Sequence, residues 1–201
     1  MKKYIFLTVL VISFFSCESN KEDSLIIPLN ADNLPGKFID AMTLDSKGSL
    51  WFSTSEIDNS VTMPAFSCSL PIRHYLTKYY EDTFSIFDDR FTGAKEMTVD
   101  KDDNVWFITS KTLNCFTTSG SSEIYRLPDD KGLFGWITTD RDKNIWVGGL
   151  NTPLLKVTSG ADINITKIVN ELSSTSGHFD QNNDLWISLW DNFIGKRNTK
   201  G

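Results

Sequence analysis

Few side chains in this 201-residue sequence are of the kind that break bonds, and their spacing suits that work poorly. The two histidines, His74 and His178, are far apart. His178 precedes Phe179-Asp180 in a strand-like segment, where Glu96 is the acid that could meet it. A lone histidine is more often structural than catalytic. There is no Gly-x-Ser-x-Gly, no His-Glu-x-x-His, no phosphate loop and no Cys–His pair of recognisable spacing. The acid pairs Glu81-Asp82, Asp88-Asp89 and Asp129-Asp130 lie in loop-like stretches and read as solvated surface. Asp100-x-Asp102-x-Asn104 and Asp140-x-Asp142-x-Asn144 open like oxygen-ligand calcium loops but lack the glycine and the distal bidentate glutamate. Asp180-x-Asn182-x-Asp184 is weaker, and Asp45-x-Lys47 breaks the series. Turn formation accounts for all four. No metal or other cofactor is expected, and no residue is assigned a catalytic role.

Binding chemistry has better candidates. Four of the six tryptophans recur in one fixed context, but Trp136 and Trp190 stand outside it. An aromatic face beside polar side chains holds a sugar or an apolar small molecule well. Asp191 and Asn192 follow Trp190, while Asn151, Lys111 and Glu96 fall at related positions of neighbouring segments. These seven residues are the expected ligand face. The competing expectation is that the two tryptophans fill gaps around a narrow channel.

The elements that must position them are written in a repeat, Asp-x5-Trp. Its four copies run from Asp45 to Trp51, Asp100 to Trp106, Asp140 to Trp146 and Asp180 to Trp186. In the second copy, strand-forming residues precede Asp100, a polar turn follows, and Val105-Trp-Phe-Ile-Thr109 is a strongly apolar strand. Leu113–Thr117 and Glu123–Leu127 supply two more, so each repeat predicts one four-stranded antiparallel blade, with strands A to D from inside outward. The aspartate can accept hydrogen bonds from N–H groups two or three residues on. Asn104, Asn144 and Gly48 are candidates for positive φ near the turn's end. The tryptophan suits packing between blades, since no blade buries its own faces. An insertion of about residues 57–83 obscures the outer strands of the first copy, and the fourth copy shows no D strand. Copies near 40 residues apart, with short strands, are the signature of a β-propeller.

The form Ile-x-x-Asp-x-x-(Gly/Asn)-x-(Leu/Ile/Val)-Trp-(Ile/Val/Phe)-(Gly/Ser/Thr) resembles the two-component regulator propeller repeat over about residues 38–197, best in the third copy, Asp140 to Gly149. The resemblance implies a propeller of the kind found in periplasmic sensor regions and in secreted or lipid-anchored proteins. Streptogramin lyases use similar repeats, but the His-x-His implied for their catalysis has no counterpart here.

Met1-Lys-Lys followed by the apolar run Tyr4–Phe15 reads as a leader over residues 1–16. Cys17, after small Ser16, stands where a lipoprotein signal places its acylated residue, and residues 17–23 form a polar tether ahead of a domain spanning 24–201. Losing Lys2 and Lys3 from the 20 basic residues leaves 18 against 26 acidic ones, a balance of −8. That excess of acid argues against nucleic acid and anionic lipid headgroups. An oxidising periplasm would permit a disulfide between Cys68 and Cys115, but both fall near C strands of adjacent blades, which usually sit too far apart to bridge, so free thiols are the expectation. Ser24-Leu-Ile-Ile-Pro-Leu29 resembles a D strand that could complete the fourth blade and close a small ring. An open array is the favoured alternative, because larger rings are the norm.

The expectation is an all-β propeller of about four blades, closed or incomplete. It would be lipid-anchored on the periplasmic or surface face of the outer membrane and bind a glycan, a peptide or an envelope protein. The alternatives are a propeller lyase or hydrolase for a small molecule or glycan, and a remnant of a longer sensor.

Overall fold

The computed structural model describes residues 34–60, 71–88, 91–160, 162–191 and 193–197. The leader, Cys17 and its tether, the strand-like Ser24–Leu29, Cys68 and Asn192 lie outside these residues. All regular structure among them is β-strand, in four antiparallel sheets. Blade 1 is β1 (Phe38–Leu44), β2 (Leu50–Ile57), β3 (Ile72–Tyr80) and β4 (Thr83–Asp88). Blade 2 is β5 (Glu96–Val99), β6 (Val105–Ile108), β7 (Thr112–Thr117) and β8 (Gly120–Arg126). Blade 3 is β9 (Leu133–Thr139), β10 (Ile145–Leu150), β11 (Thr152–Thr158) and β12 (Asn164–Leu172). Blade 4 is β13 (Ser174–Phe179), β14 (Leu185–Leu189) and β15 (Ile194–Arg197), with no fourth strand among the described residues. Every sheet follows chain order, so each blade is a simple meander. The insertion that hid blade 1's outer half carries β3 in unbroken register with β2, and β4 follows it, pairing with β3 across a register shift between Leu76 and Thr77.

The repeat is a hydrogen-bonding device as much as a packing one. One oxygen of Asp100 accepts from the N–H groups of Asp102 and Asn104, and the other accepts from the Trp106 indole at 2.8 Å. Asp45, Asp140 and Asp180 repeat this arrangement with Trp51, Trp146 and Trp186 at 3.1, 3.0 and 2.8 Å. Both oxygens of each carboxylate are thus occupied by N–H donors, and among the described residues no group of acids and histidines is arranged to hold a metal. The positive-φ position differs from the sequence reading. Gly48 takes it, at +80°, but in the later copies it falls on Asp103, Lys143 and Asn183, at 61°, 61° and 65°. Asn104 and Asn144 sit one residue later, and their side-chain amides donate to Asp100 and Asp140.

Three apolar clusters join the blades. Trp51 and Leu76 of blade 1 pack with Met97, Val99, Val105 and Phe107 of blade 2. Trp106 and Leu113 meet Ile137, Ile145 and Val147 of blade 3, and Trp146 and Leu154 meet Leu185 and Ile187 of blade 4. The turns interlock as well. Ser46 donates to Asp103 of the next blade at 2.6 Å, and the Arg141 backbone donates to Asn183 at 2.7 Å. The innermost strands contact in sequence, β1 to β5 to β9 to β13. Among the described residues no comparable contact joins β13 back to β1, and no closed ring is seen.

Candidate functional site

Because the A strand is innermost in every blade, the four A strands converge on a common space. A cavity of about 320 Å³ is lined by Asp40 and Met42 of β1, Lys95, Glu96 and Met97 at β5, Trp136 and Ile137 of β9, and Ser176, Gly177 and His178 of β13. Its lining residues fall in the middle of β1, β9 and β13 and at the start of β5. A neighbouring cavity of about 370 Å³ shares Asp40 and Lys95 and adds His74, Thr92, Gly93 and Ser110. Acids, a lysine and two histidines thus border one contiguous region.

His74 is its best-defined group. Its Nδ1 is buried, with the Asp40 carboxylate 3.4 Å away, too far for a good hydrogen bond. The other Asp40 oxygen accepts from the Ser55 hydroxyl at 2.9 Å. The ring fits because Gly93 has no side chain, since a Cβ there would lie 2.7 Å from Nδ1. Sequence reasoning missed this pair because β3, which carries His74, is hidden in the insertion. Glu96 reaches across to β9 and accepts from the Ile137 backbone N–H at 2.9 Å.

The six predicted ligand residues that lie among the described residues do not all line one cavity. Trp136 lines the central cavity but is buried, and its indole donates to Ser174 at 2.8 Å. Its ring is wedged between blades 3 and 4, where a Cβ on Gly148 or Gly177 would lie 2.4 or 2.5 Å away. Trp190 stands exposed at the B-to-C turn of blade 4 and is not among the residues lining the cavity. Asp191, beside it, is exposed. The Trp190 backbone donates to the Ser173 carbonyl, and the Ser173 hydroxyl donates to Asn151, so Trp190 and Asn151 share one end of the blades. Lys111 is engaged in holding the backbone between blades 2 and 3, its ammonium donating to the carbonyls of Asp129 and Lys131. Of the six, Glu96 and Trp136 reach the cavity.

A lysine pattern also escaped the sequence reading. Lys78, Lys156 and Lys196 pair in register with Trp51, Trp146 and Trp186. Each ammonium lies over its indole, at 4.9, 5.4 and 5.0 Å. Lys78 also sits 3.2 Å from Asp45. Burial pushes the Asp45 carboxyl up, but hydrogen bonds from Ser49, Trp51 and Lys78 outweigh it and hold the group down at about 2. In blade 2 the lysine's place is taken by Cys115, opposite Trp106. Cys115 is a free, buried thiol, and burial together with the nearby Asp100 charge pushes it up to about 12. The signal was present as a lysine ten residues after Trp146 and Trp186.

A larger cavity, about 580 Å³, lies at the opposite end between blades 1 and 2, lined by Trp51, Phe87, Phe116 and Lys78 with the Asp45 and Asp103 turns. Its acids are already engaged, Asp45 by its own turn and Asp103 by Ser46. The central region differs in drawing its acids, a lysine and a histidine from the innermost strands of several blades.

Residues 33–56 match the model of the two-component regulator propeller. The match falls on the first copy of the repeat rather than on the third, which the sequence reading favoured. A comparison with curated proteins finds no significant match. Among solved structures, the chain is similar to a catalytically inactive H270A virginiamycin B lyase from Staphylococcus aureus with quinupristin. The TM-score is 0.53 at 17% identity, over 81% of this chain and 56% of the lyase. It is similar to the extracellular domain of a putative hybrid two-component system from B. thetaiotaomicron, with TM-score 0.54 and 17% identity, over 80% of this chain and 21% of that one. PorZ, a surface component of the type-IX secretion system of Porphyromonas gingivalis, gives TM-score 0.54 at 14% identity, over 88% of this chain and 28% of that one. The chain thus spans a little over half of the lyase and a smaller share of the other two. The described residues are a run of β-propeller blades, the first of which carries the two-component regulator propeller repeat.

Proposed function

We propose that this chain is an extracytoplasmic binding module, held at the membrane by acylated Cys17 after removal of residues 1–16, and that its ligand engages the central cavity. The observation that carries the reading is that all four innermost strands contribute to one open space, where Asp40, Lys95, Glu96 and His178 come from three different blades. A few convergent polar groups beside an aromatic ring make a binding site for a polar ligand. A glycan, an extended peptide or a loop of an envelope protein fits that description. The likeness to extracellular sensor domains supports the fold on which such a role rests.

The test uses envelope glycan fragments and extended peptides as probes, with binding measured calorimetrically. Lys95→Ala and His178→Ala should each weaken a bound probe about tenfold, equivalent to about 1.4 kcal/mol. Binding that neither substitution alters would sink the proposal. Cys17→Ala should move the protein from the membrane fraction to the soluble one.

A lyase or hydrolase acting on a small molecule or glycan is the second reading. It is favoured by His178 and Glu96 lining one cavity beside the Asp40–His74 pair. Turnover of any probe that disappears in His178→Ala while binding persists would establish it in place of the first.

A further inference from the structure

The joint between blades 1 and 2 departs from the joint between blades 2 and 3 in the residues that close it. In blades 1, 2 and 3 the outermost strand pair slips register once, and one residue of the D strand is left outside the ladder. These residues are Phe87, Ile124 and Ile168. Ile124 and Ile168 pack onto the apolar cluster that holds their own blade's tryptophan. Phe87 does so only in part. Its ring centre lies 4.9 Å from that of Trp51, but the residue is 48% exposed. Blade 2 meets it with Phe116, at the register position that Val157 fills in blade 3. An aromatic pair thus stands where the next joint has an isoleucine and a fully buried valine. Beside it lies the cavity of about 580 Å³, which suits a small organic molecule. Both blades that form it lie among the described residues.

We propose that this cavity is a second binding site, separate from the central space, and that its ligand is a small aromatic carboxylate. The exposed part of Phe87 is a surface on which a planar ring can stack or meet edge to face. The charges on the rim select for an anion. Asp45 is held by its own turn, by Trp51 and by Lys78. Both oxygens of Asp103 accept from Ser46, and Asp102 pairs with Lys101 at 2.6 Å. Among the described residues Lys47 also borders the cavity, and its ammonium has no partner there. An ammonium on a four-carbon chain can turn to meet a carboxylate, and hydrogen bonds between ions are stronger than neutral ones. A sugar fits this rim less well, since its hydroxyls need acceptors and the acids are already engaged. A cation fits it less well again, because Lys78 already lies over the Trp51 ring at 4.9 Å. None of the residues lining this cavity lines the central one.

The experiment is calorimetric titration of the purified chain with phenylacetate and with cinnamate, each compared with its uncharged amide. At least one acid should bind saturably, and its amide should bind about tenfold more weakly. Lys47→Ala should weaken the acid about fivefold or more and leave the amide as it was. Phe87→Ala should weaken acid and amide alike. Both side chains are exposed enough that circular dichroism should show each variant folded. Lys95→Ala, in the central space, should change nothing. No saturable binding by either acid overturns the proposal, as does equal binding of acid and amide or an acid indifferent to Lys47→Ala. Loss of binding in Lys95→Ala with Lys47→Ala unaffected would put the acid in the central space, which overturns this site and leaves the central one standing.

Discussion

Trp106 and Trp186 offer a comparison in which burial is the main variable, alongside Lys196 over Trp186 where Trp106 faces Cys115. Each sits at the same position of the repeat, and each donates its indole N–H to the repeat aspartate at 2.8 Å. They differ in burial, because among the described residues another blade packs on Trp106 and none on Trp186. Removing a tryptophan side chain from water hides about 200 Å² and contributes about 5 kcal/mol at 25 cal/mol per Å². Trp106 is 0% exposed and carries this in full. Trp186, 41% exposed, carries about three-fifths of it, about 3 kcal/mol, and truncation there opens onto solvent rather than leaving an enclosed void. The lost hydrogen bond is common to both and largely cancels. Trp106→Ala should therefore destabilise the protein by about 2 kcal/mol more than Trp186→Ala. Urea unfolding followed by far-ultraviolet circular dichroism measures this, provided the protein is dilute enough to be monomeric. Equal costs at high dilution would refute the idea that blade-to-blade burial, rather than the Asp–Trp hydrogen bond, gives the repeat its stabilising effect.

Three more outcomes follow from individual residues. The Asp45 carboxyl is held at about 2, below its ordinary 3.8, so its contribution is complete above pH 3.8 and is lost as pH falls toward 2. The shift corresponds to about 2 kcal/mol, and Asp45→Asn should flatten the acid limb of the stability profile in that window. Gly177→Ala drives a methyl to within 2.5 Å of the Trp136 ring and should cost about 3 kcal/mol, whereas Gly48→Ala, with open space around it and φ +80°, should cost about 1 kcal/mol. Thermal melts of the two variants compare them directly. Cys115, buried and raised to about 12, should resist a thiol reagent in the native protein and react once denaturant unfolds blade 2. Prompt native labelling at Cys115 would mean that the joint between blades 2 and 3 opens readily.

The blades were legible because each is specified within about 40 residues. An aspartate that organises its own turn and a tryptophan six residues later are local facts, and the antiparallel meander follows from them. What escaped was set by contacts distant in sequence. His74 meets Asp40 only because β3 pairs with β2, across a segment whose spacing breaks the repeat. Trp136 and Trp190 look alike in sequence, yet one is enclosed and the other open. The enclosure depends on Gly148 and Gly177, which leave room for the Trp136 ring, and on Ser174, which satisfies its N–H. Asn104 and Asn144 were credited with positive φ on residue type alone. The turn instead places Asp103 and Lys143 there and uses the asparagine amides to hold the aspartate. The carboxylate was the stronger determinant.

The register of the repeat also separates scaffold from chemistry. At the turn aspartate and at the tryptophan, all four copies are identical, because the same hydrogen bond and the same blade joint must form each time. Four and five residues before the aspartate the copies share nothing. Those positions hold Ala41, Glu96, Trp136 and Ser176, and Asp40, Lys95, Gly135 and Thr175. They lie on the innermost strands, and six of the eight come within the lining of the central cavity or its neighbour. Apart from Trp136, wedged between blades 3 and 4, and Glu96, bonded to the Ile137 backbone, packing places little restriction on the side chains facing that space. Chemical variety can collect there at small cost to the fold. An exchange of Lys95 or His178 should therefore alter what the cavity holds more than it alters the melting temperature. An exchange of Asp100 or Trp106 should do the reverse. If the two classes of substitution affected stability alike, the cavity would be a by-product of packing rather than a site.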